Sequence, residues 1–322
     1  MKILFLGTPE FAIPSLHRVN DCFEIVGVVT QPDKPQGRHL KLTPPPIKVE
    51  AEKLGIPVFQ PEKLNTREWV ETLKKLQPDL GVVVAYGKFL KEDILNIPST
   101  KLFINLHPSL LPKWRGPSPI QTAIMEGDEV TGITVMKITE KMDAGDILLQ
   151  KKVPIDPDET AEELSKKLAL EGAEILVEGI KLIEEGKAVF VPQDDEKATY
   201  CKIIEKHHAR IDWSWDAKRI HNLVRASIPW PVAFAKFKDE TIRIHKTKLI
   251  SETDFEDKDN KIVPGTVIEI TRDFGVVKTG KGLLGICILQ SPGRKPLPFF
   301  EYIKGKPIRV GDRFEVAEDG TG

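Results

Sequence analysis

The sequence predicts an α/β protein of two domains: an open, mostly parallel sheet domain followed by a smaller β-barrel domain. Its 322 residues suit about two domains. Up to about residue 185, short apolar runs alternate with longer segments of helical period, which is the pattern of βαβ units on a parallel sheet. From about residue 233, short strand-like runs follow one another between turn residues, which favours a small barrel.

Six apolar runs are the predicted strands of the first domain, which we place at residues 1–186. Several are rich in Val and Ile throughout, as is typical of strands buried on both faces of a sheet. They are Lys2–Leu6, Glu24–Thr30, Leu80–Ala85, Leu102–Leu106, Gly132–Ile138 and Ile147–Val153. The predicted helices have apolar residues near helical spacing: Phe11–Val19, Ile47–Leu54, Thr66–Leu76, Ile120–Glu126 and Ala161–Glu184. Together these elements indicate a Rossmann-like domain.

Residues 187–206 have no long periodic run, so we predict a linker there. The second domain is predicted at residues 207–322 and begins with a helix, Asp216–Ala226, which the prolines beyond it prevent from continuing. Short strands are predicted after it at Ala233–Phe237, Ile242–Leu249, Gly265–Ile270, Gly275–Lys278, Leu283–Leu289 and Arg313–Val316. Strands this short and closely spaced predict a β-barrel, which we expect to be OB-like.

The composition is that of an ordinary globular protein, with 40% hydrophobic residues and a net charge of −1. It excludes collagen-like, disordered and membrane-spanning classes. The apolar run before Thr8, Pro9 and Glu10 is too short for a secretion signal. We therefore expect a cytoplasmic protein with no membrane partner.

Charge is unevenly distributed along the chain. Residues 1–200 carry 25 Lys and Arg against 31 Asp and Glu, and residues 201–322 carry 22 against 17, so the two parts have net charges of −6 and +5. The basic second part suits an anionic partner. A solvated surface with no such partner explains the same excess equally well.

Several common sites are not expected from the motifs. The turn after the first strand has Gly7 but no second glycine, which disfavours a nicotinamide site. Gly87 and Lys88 lack the Ser or Thr that completes a phosphate-binding loop. The three cysteines and seven histidines have no metal-ligand spacing, so we expect no metal site.

The most informative stretch surrounds Asn105 and His107. Their spacing of two places them on the same side of a strand, near its carboxyl end, where open α/β sheets bind ligands. An imidazole can move a proton near neutral pH and an amide can bind a developing oxyanion, so the pair suits acyl transfer. The loop Thr139–Asp146 can bring the carboxylate of Asp143 to the same edge. Taken alone, an Asn-x-His pattern is more often a turn with satisfied polar groups than a catalytic site.

Three segments resemble the motifs of the folate-dependent formyltransferases, in matching order and spacing. They are Thr30–Arg38, Asn105–Gly116 and Met142–Asp146. In the second domain, Arg210–Trp213 and Ile220–Pro231 resemble the family members that formylate tRNA. The resemblance covers almost the whole chain. It implies transfer of the formyl group of 10-formyltetrahydrofolate to the α-amino group of methionine esterified to initiator tRNA.

By this resemblance Asn105, His107 and Asp143 occupy the catalytic positions. The implied roles are proton transfer and oxyanion stabilisation for His107, and polarisation of the formyl oxygen for Asn105. Asp143 would position His107 and help to remove the amine proton. The resemblance further implies that tetrahydrofolate is contacted by Ser109, Leu110, Leu111 and Pro112, with no metal involved.

The tRNA partner is implied to touch both parts of the chain. In the family the loop at 31–46 reaches the acceptor stem, and Arg38 falls on its key arginine, with Lys34 and Lys41 nearby. An arginine can bind a phosphate or a guanine edge with two parallel hydrogen bonds. The basic second domain would bind the acceptor arm through its phosphates.

Two other interpretations remain at this stage. Relatives of the first domain formylate an amino sugar or a glycinamide nucleotide, or hydrolyse formyltetrahydrofolate, although they lack the pattern at 220–231 of this second domain. A non-catalytic RNA-binding protein would need only the basic barrel, and the intact Asn105, His107 and Asp143 argue against it.

Overall fold

The computed structural model describes residues 1–36, 41–251 and 262–318. The chain divides into two compact units, each built from several stretches. Unit 1 comprises Met1–Pro119, Val130–Pro154 and Ser165–Cys201, and unit 2 comprises Ile120–Glu129, Ile155–Leu164 and Lys202–Gly322. Of the stretch 187–206, residues up to 201 therefore belong to unit 1 and the rest to unit 2.

Nine strands lie in the described residues of unit 1. They are β1 (Lys2–Gly7), β2 (Glu24–Val29), β3 (Lys34–Gln36), β4 (Lys41–Thr43), β5 (Val58–Phe59), β6 (Leu80–Val84), β7 (Phe103–His107), β8 (Val130–Lys137) and β9 (Ile147–Pro154). The helices of the first 200 residues are α1 (Ile13–Cys22), α2 (Pro46–Lys53), α3 (Arg67–Lys74), α4 (Glu92–Leu95), α5 (Pro119–Met125) and α6 (Ala161–Glu184). Short β3, β4, β5 and α4 were not predicted, because their apolar patterns are too short to be distinctive.

The main sheet of unit 1 has the order β5-β2-β1-β6-β7-β8-β9. Pairs from β5 to β7 are parallel, while β7–β8 and β8–β9 are antiparallel. All five residues of β6 are buried, as a central parallel strand covered on both faces requires. The prediction of a mostly parallel, Rossmann-like sheet is confirmed, with an antiparallel hairpin added at one edge.

The strand order reverses direction at β1, which lies between β2 and β6. Side-chain hydrogen bonds connect the three loops that follow these strands. Thr8 Oγ1 and Gln31 Nε2 both donate to the Tyr86 carbonyl, at 3.1 and 2.9 Å. The next strand, β7, ends at His107. His107 thus lies at the edge of the sheet where α/β folds bind ligands.

Helix α6 coincides with the predicted segment, because its apolar period extends over all 24 residues. Its start has a capping box: Glu163 N donates to Thr160 Oγ1, and Thr160 N donates to the Glu163 carboxylate. Within the three described ranges, no helix combines the length and apolar character needed to cross a membrane.

Unit 2 contains helices α7 (Ala217–Ala226) and α8 (Phe299–Gly305) and an antiparallel sheet. Asp216 caps α7 by accepting a hydrogen bond from Arg219 N at 2.8 Å. The strands are β10 (Ala233–Phe237), β11 (Glu240–Ile250), β12 (Val267–Ile270), β13 (Gly275–Lys278), β14 (Leu283–Gln290), β15 (Leu297–Pro298) and β16 (Phe314–Glu315). Their order is β12-β13-β14-β11-β10-β16, with β15 on β14. The short strands predicted for the second domain are present, and they form an antiparallel sheet.

Backbone hydrogen bonds also join the two edges of this sheet. Phe314 N donates to Gly265 O, and Val267 N donates to Asp312 O, both at 2.8 Å. The enclosed core combines one face of α7 with inward side chains of the strands and with Trp213, which precedes α7. The ring centroids of Trp213 and Phe314 are 5.6 Å apart.

Replacing Phe103 with Ala is expected to lower the free energy of unfolding by about 3–5 kcal/mol, because a buried ring is lost and a cavity remains. Phe103 is 2% exposed, and a Cβ at Gly81 would lie 2.2 Å from its ring. Phe89→Ala is the matched control, since Phe89 is in the same unit and 55% exposed. Equilibrium urea denaturation measures both variants, and equal losses would contradict this account of the core.

Candidate active site

The candidate site is centred on the last residues of β7. Asn105 and His107 lie on the same side of this strand because successive side chains alternate between faces. His107 is 5% exposed, whereas Asn105 is half-buried. Among the described residues, no side chain or backbone group forms a hydrogen bond with the Asn105 amide. The amide is therefore available to a ligand.

The two nitrogens of the His107 ring have different surroundings. Nε2 lies 3.1 Å from the Trp114 carbonyl oxygen. Because a carbonyl only accepts hydrogen bonds, Nε2 carries the hydrogen and donates it. Nδ1 lies 3.8 Å from Asp143 Oδ2, which is too far for a hydrogen bond. The lone pair of the neutral ring is therefore on Nδ1, on the side of the carboxylate.

Burial lowers the pKa of the His107 imidazole below its ordinary value. The negative charge of Asp143 and the bond to the Trp114 carbonyl act in the opposite direction, without cancelling this effect. Desolvation penalises the charged form of the ring. The imidazole is therefore neutral at neutral pH and able to accept a proton.

Asp143 is held by the backbone of a neighbouring segment. Its Oδ2 accepts a hydrogen bond from Gly116 N at 2.9 Å, and its own φ of 49° is in the left-handed region. Gly116 has a φ of 121°, and a Cβ there would lie 2.5 Å from the Cys201 carbonyl oxygen. A residue other than glycine would displace the N–H group that binds the carboxylate.

The segment at 109–112, predicted to contact folate, is held by side chains of β8 and β9. Thr134 Oγ1 donates to the Ser109 carbonyl at 2.7 Å, and Gln150 Nε2 donates to the Leu111 carbonyl at 2.8 Å. The Ser109 hydroxyl donates to the Lys113 carbonyl at 2.6 Å. Ser109 and Leu111 are buried, while Leu110 and Pro112 are partly exposed. The exposed apolar surface of this segment comes from the latter two residues.

The predicted tRNA contacts fall on a small hairpin. Lys34 is on β3, where its Nζ donates to Gln31 Oε1 at 2.6 Å, and exposed Lys41 is on β4. These strands pair antiparallel, with Gln36 opposite Lys41. Arg38 lies outside the described residues.

The sequence analysis missed the polar groups that support His107 and Asp143. Arg115 is 3% exposed, and its Nη2 donates to Gln193 Oε1 at 2.8 Å and to Asp195 Oδ1 at 2.7 Å. Arg115 stood within a recognised motif, but Gln193 lay in the predicted linker and carried no local signal. Their contact spans 78 residues of chain, which no periodicity can reveal.

In the part of the chain that the structure describes, no group of three or more His, Cys, Asp or Glu residues is arranged to hold a metal ion.

Both parts of the chain match a known protein family, and full-length relatives exist. Residues 1–180 match the model of the formyl transferase family, and residues 203–307 match its C-terminal domain model. A methionyl-tRNA formyltransferase of Sulfurihydrogenibium sp. is 48% identical, over 98% of this chain and 100% of its own. One from Acetivibrio thermocellus is 44% identical, over 97% and 99%. The solved structure of an N-formyltransferase from Helicobacter canadensis has the same fold, with a TM-score of 0.67 and 20% identity over 90% of this chain and 99% of its own.

An NMR titration of His107 is expected to give a midpoint below about 6.5, the ordinary histidine value. Asp143→Asn should lower the midpoint further, because it removes the charge that favours the imidazolium. Asp33→Asn is the control, since that carboxylate is bound by Lys48 and Gln60 instead. A midpoint that rises in Asp143→Asn would contradict the assignment of the carboxylate to Nδ1.

Proposed function

This chain belongs to the formyl transferase family, and from that membership we propose that it transfers the formyl group of 10-formyltetrahydrofolate to the α-amino group of methionyl initiator tRNA. The product is N-formylmethionyl-tRNA, used in translation initiation. The full-length similarity to methionyl-tRNA formyltransferases includes the second domain. The structural observation that carries the proposal is the buried His107 ring, with Nδ1 3.8 Å from the Asp143 carboxylate. Two residues earlier, the Asn105 side-chain amide forms no hydrogen bond within the described residues.

Asn105 is assigned to the formyl oxygen. As the amine attacks the formyl carbon, negative charge develops on that oxygen. The Asn105 amide can donate a hydrogen bond to it without breaking a bond within the described protein. Because Asn105 and His107 lie on one side of β7, the donor and the base act on the same reacting group.

His107 is assigned to the proton of the amine. Its Nδ1 accepts the proton that the nitrogen loses on forming the new C–N bond, and Asp143 then stabilises the imidazolium. When the bond between the formyl carbon and the folate nitrogen breaks, the proton passes to that nitrogen. The folate nitrogen thus leaves with the electron pair of the broken C–N bond and receives the proton that the amine lost. The rate should fall as pH decreases through the His107 pKa, because a protonated ring cannot accept a proton.

The folate donor fits the edge of the sheet beside His107. Leu110 and Pro112 present apolar surface there on a segment held from beneath. Phe89, 55% exposed, follows β6, the strand next to β7. A flat pterin needs apolar surfaces of this kind with nearby backbone groups for direction. Ser109 and Leu111 are buried, and their carbonyls are bound by Thr134 and Gln150, so in this proposal they hold the segment in place.

The acceptor arm of tRNA is assigned to the basic side chains of both units. On β11, Arg243, Lys246 and Lys248 are exposed, whereas Ile242 and Ile244 face the core. Such cations bind phosphates with little sequence information. We further propose that the second sheet is a closed, OB-like barrel, supported by the hydrogen bonds between its edges, and that the enzyme acts in the cytoplasm. Residues 1–186 form the catalytic domain in this proposal, and residues 207–322 the tRNA-binding domain.

His107→Ala and Asn105→Ala are each expected to lower kcat by roughly 10²–10⁴-fold, the usual contribution of a positioned acid–base group or oxyanion donor. Binding of tRNA should be retained. The assay is formyl transfer to methionyl initiator tRNA, with uncharged tRNA and free methionine as blanks. His17→Ala is the control histidine, as it pairs with Glu50 on the surface. A wild-type enzyme that consumes the donor without formylating tRNA would show that the acceptor is different.

Arg38→Ala and Lys41→Ala are expected to raise KM for tRNA while leaving KM for the folate donor unchanged. Each should also reduce the slope of log affinity against log salt by about 1, because one phosphate contact is lost. Lys187→Ala is the matched control, because this exposed lysine lies outside the hairpin, after α6, and pairs with Glu185. Equal effects in the control would mean that only net charge matters.

A further inference from the structure

The segment 191–201, which contains a short 3₁₀ turn at Asp195–Lys197, forms a strap beside the candidate site. At one end Val191 exchanges two backbone hydrogen bonds with Ile147 of β9, both at 2.8 Å. At the other end Arg115 N donates to Thr199 O, and Cys201 N donates to Arg115 O, both at 2.9 Å. The strap therefore joins the edge of the main sheet to the backbone that surrounds His107.

Gln193 lies in this strap between Asp143 and Arg115. Its Nε2 donates to the carbonyls of Asp143 and Gly145, at 2.9 and 2.7 Å. Its Oε1 accepts from Arg115 Nε and Nη2, at 3.1 and 2.8 Å. Both amide hydrogens and the amide oxygen are thus engaged. A glutamate has no hydrogens to donate to the carbonyls, so this pattern requires the amide.

Gln193 connects the segment around Arg115, which contacts both His107 and Asp143, with the loop that carries Asp143. Trp114, which precedes Arg115, accepts the hydrogen bond of His107. Gly116, which follows it, donates to the Asp143 carboxylate. Gln193 binds the loop backbone at Asp143 itself. Its amide therefore fixes the loop that carries the carboxylate relative to the segment that orients the imidazole.

We propose that Gln193, anchored by Arg115, is a positioning residue that sets the separation between the Asp143 carboxylate and His107 Nδ1. It touches no reacting atom and acts through Asp143. The inference rests on the proposed function, in which this separation lets the imidazole stay neutral before the reaction and be stabilised after it gains a proton. Among the described residues, Asp143 is the ionisable group whose charge acts on His107.

Gln193→Met removes the amide at similar length and adds no charge. It should lower kcat about 10–100-fold, as misplacement of a catalytic group by about 1 Å does, with KM for both substrates unchanged. It should also lower the NMR titration midpoint of His107, because the carboxylate moves away. Lys197→Met, in the same strap but paired with Asp194, is the control and should change neither quantity. Gln193→Asn, neutral and one methylene shorter, is expected to behave like Gln193→Met and replaces it if that variant does not fold.

The decisive comparison is made in the background of Asp143→Asn. If Gln193 acts by placing the carboxylate charge, Gln193→Met should lower the His107 midpoint in the wild-type background and leave it unchanged in Asp143→Asn. An unchanged midpoint in the folded single variant, or an equal decrease in both backgrounds, would overturn the proposal. The titration needs no turnover, so its result does not depend on the proposed function. That function is tested separately, and it fails if the wild type does not formylate methionyl-tRNA.

Discussion

The hydrogen bond from His107 Nε2 to the Trp114 carbonyl is the contact on which the site depends. It fixes the plane of the imidazole and decides which nitrogen carries the hydrogen, so that Nδ1 faces Asp143. The same short segment then supplies the Gly116 N–H that holds the carboxylate. One turn of backbone thus orients both members of the pair. The strap at 191–201 and the buried Arg115 keep this turn in place.

Burial and charge compete at His107, and burial prevails. The ring is almost wholly removed from water, which disfavours its charged form, while Asp143 favours that form from 3.8 Å without a shared hydrogen. A direct hydrogen bond to the carboxylate would stabilise the imidazolium further. The observed separation suits a base that is neutral before the reaction and stabilised once it has gained a proton. In the proposed mechanism, residues that hold Asp143 and Trp114 act through that distance.

The two units contribute different physical properties. Unit 1 provides a sheet edge at which rigid strands place a few polar groups, and the segment at 108–112 is fixed there by Thr134 and Gln150. Unit 2 contains most of the basic second part of the chain, with exposed cations along β11. Phosphates are recognised by charge at long range, whereas formyl transfer needs defined geometry over a few ångströms.

The sequence by itself determined the long elements and the residues available for chemistry. Helix α6 and strands β10 and β13 have the predicted bounds because their apolar periodicity is local. The same local rule placed Asn105 and His107 on one side of β7. Only the tertiary structure decided that β8 and β9 pair antiparallel, that His107 binds Trp114, and that Gln193 reaches Asp143 across 50 residues of chain. Such contacts depend on the packing of distant segments, and periodicity within a segment carries no information about its partner.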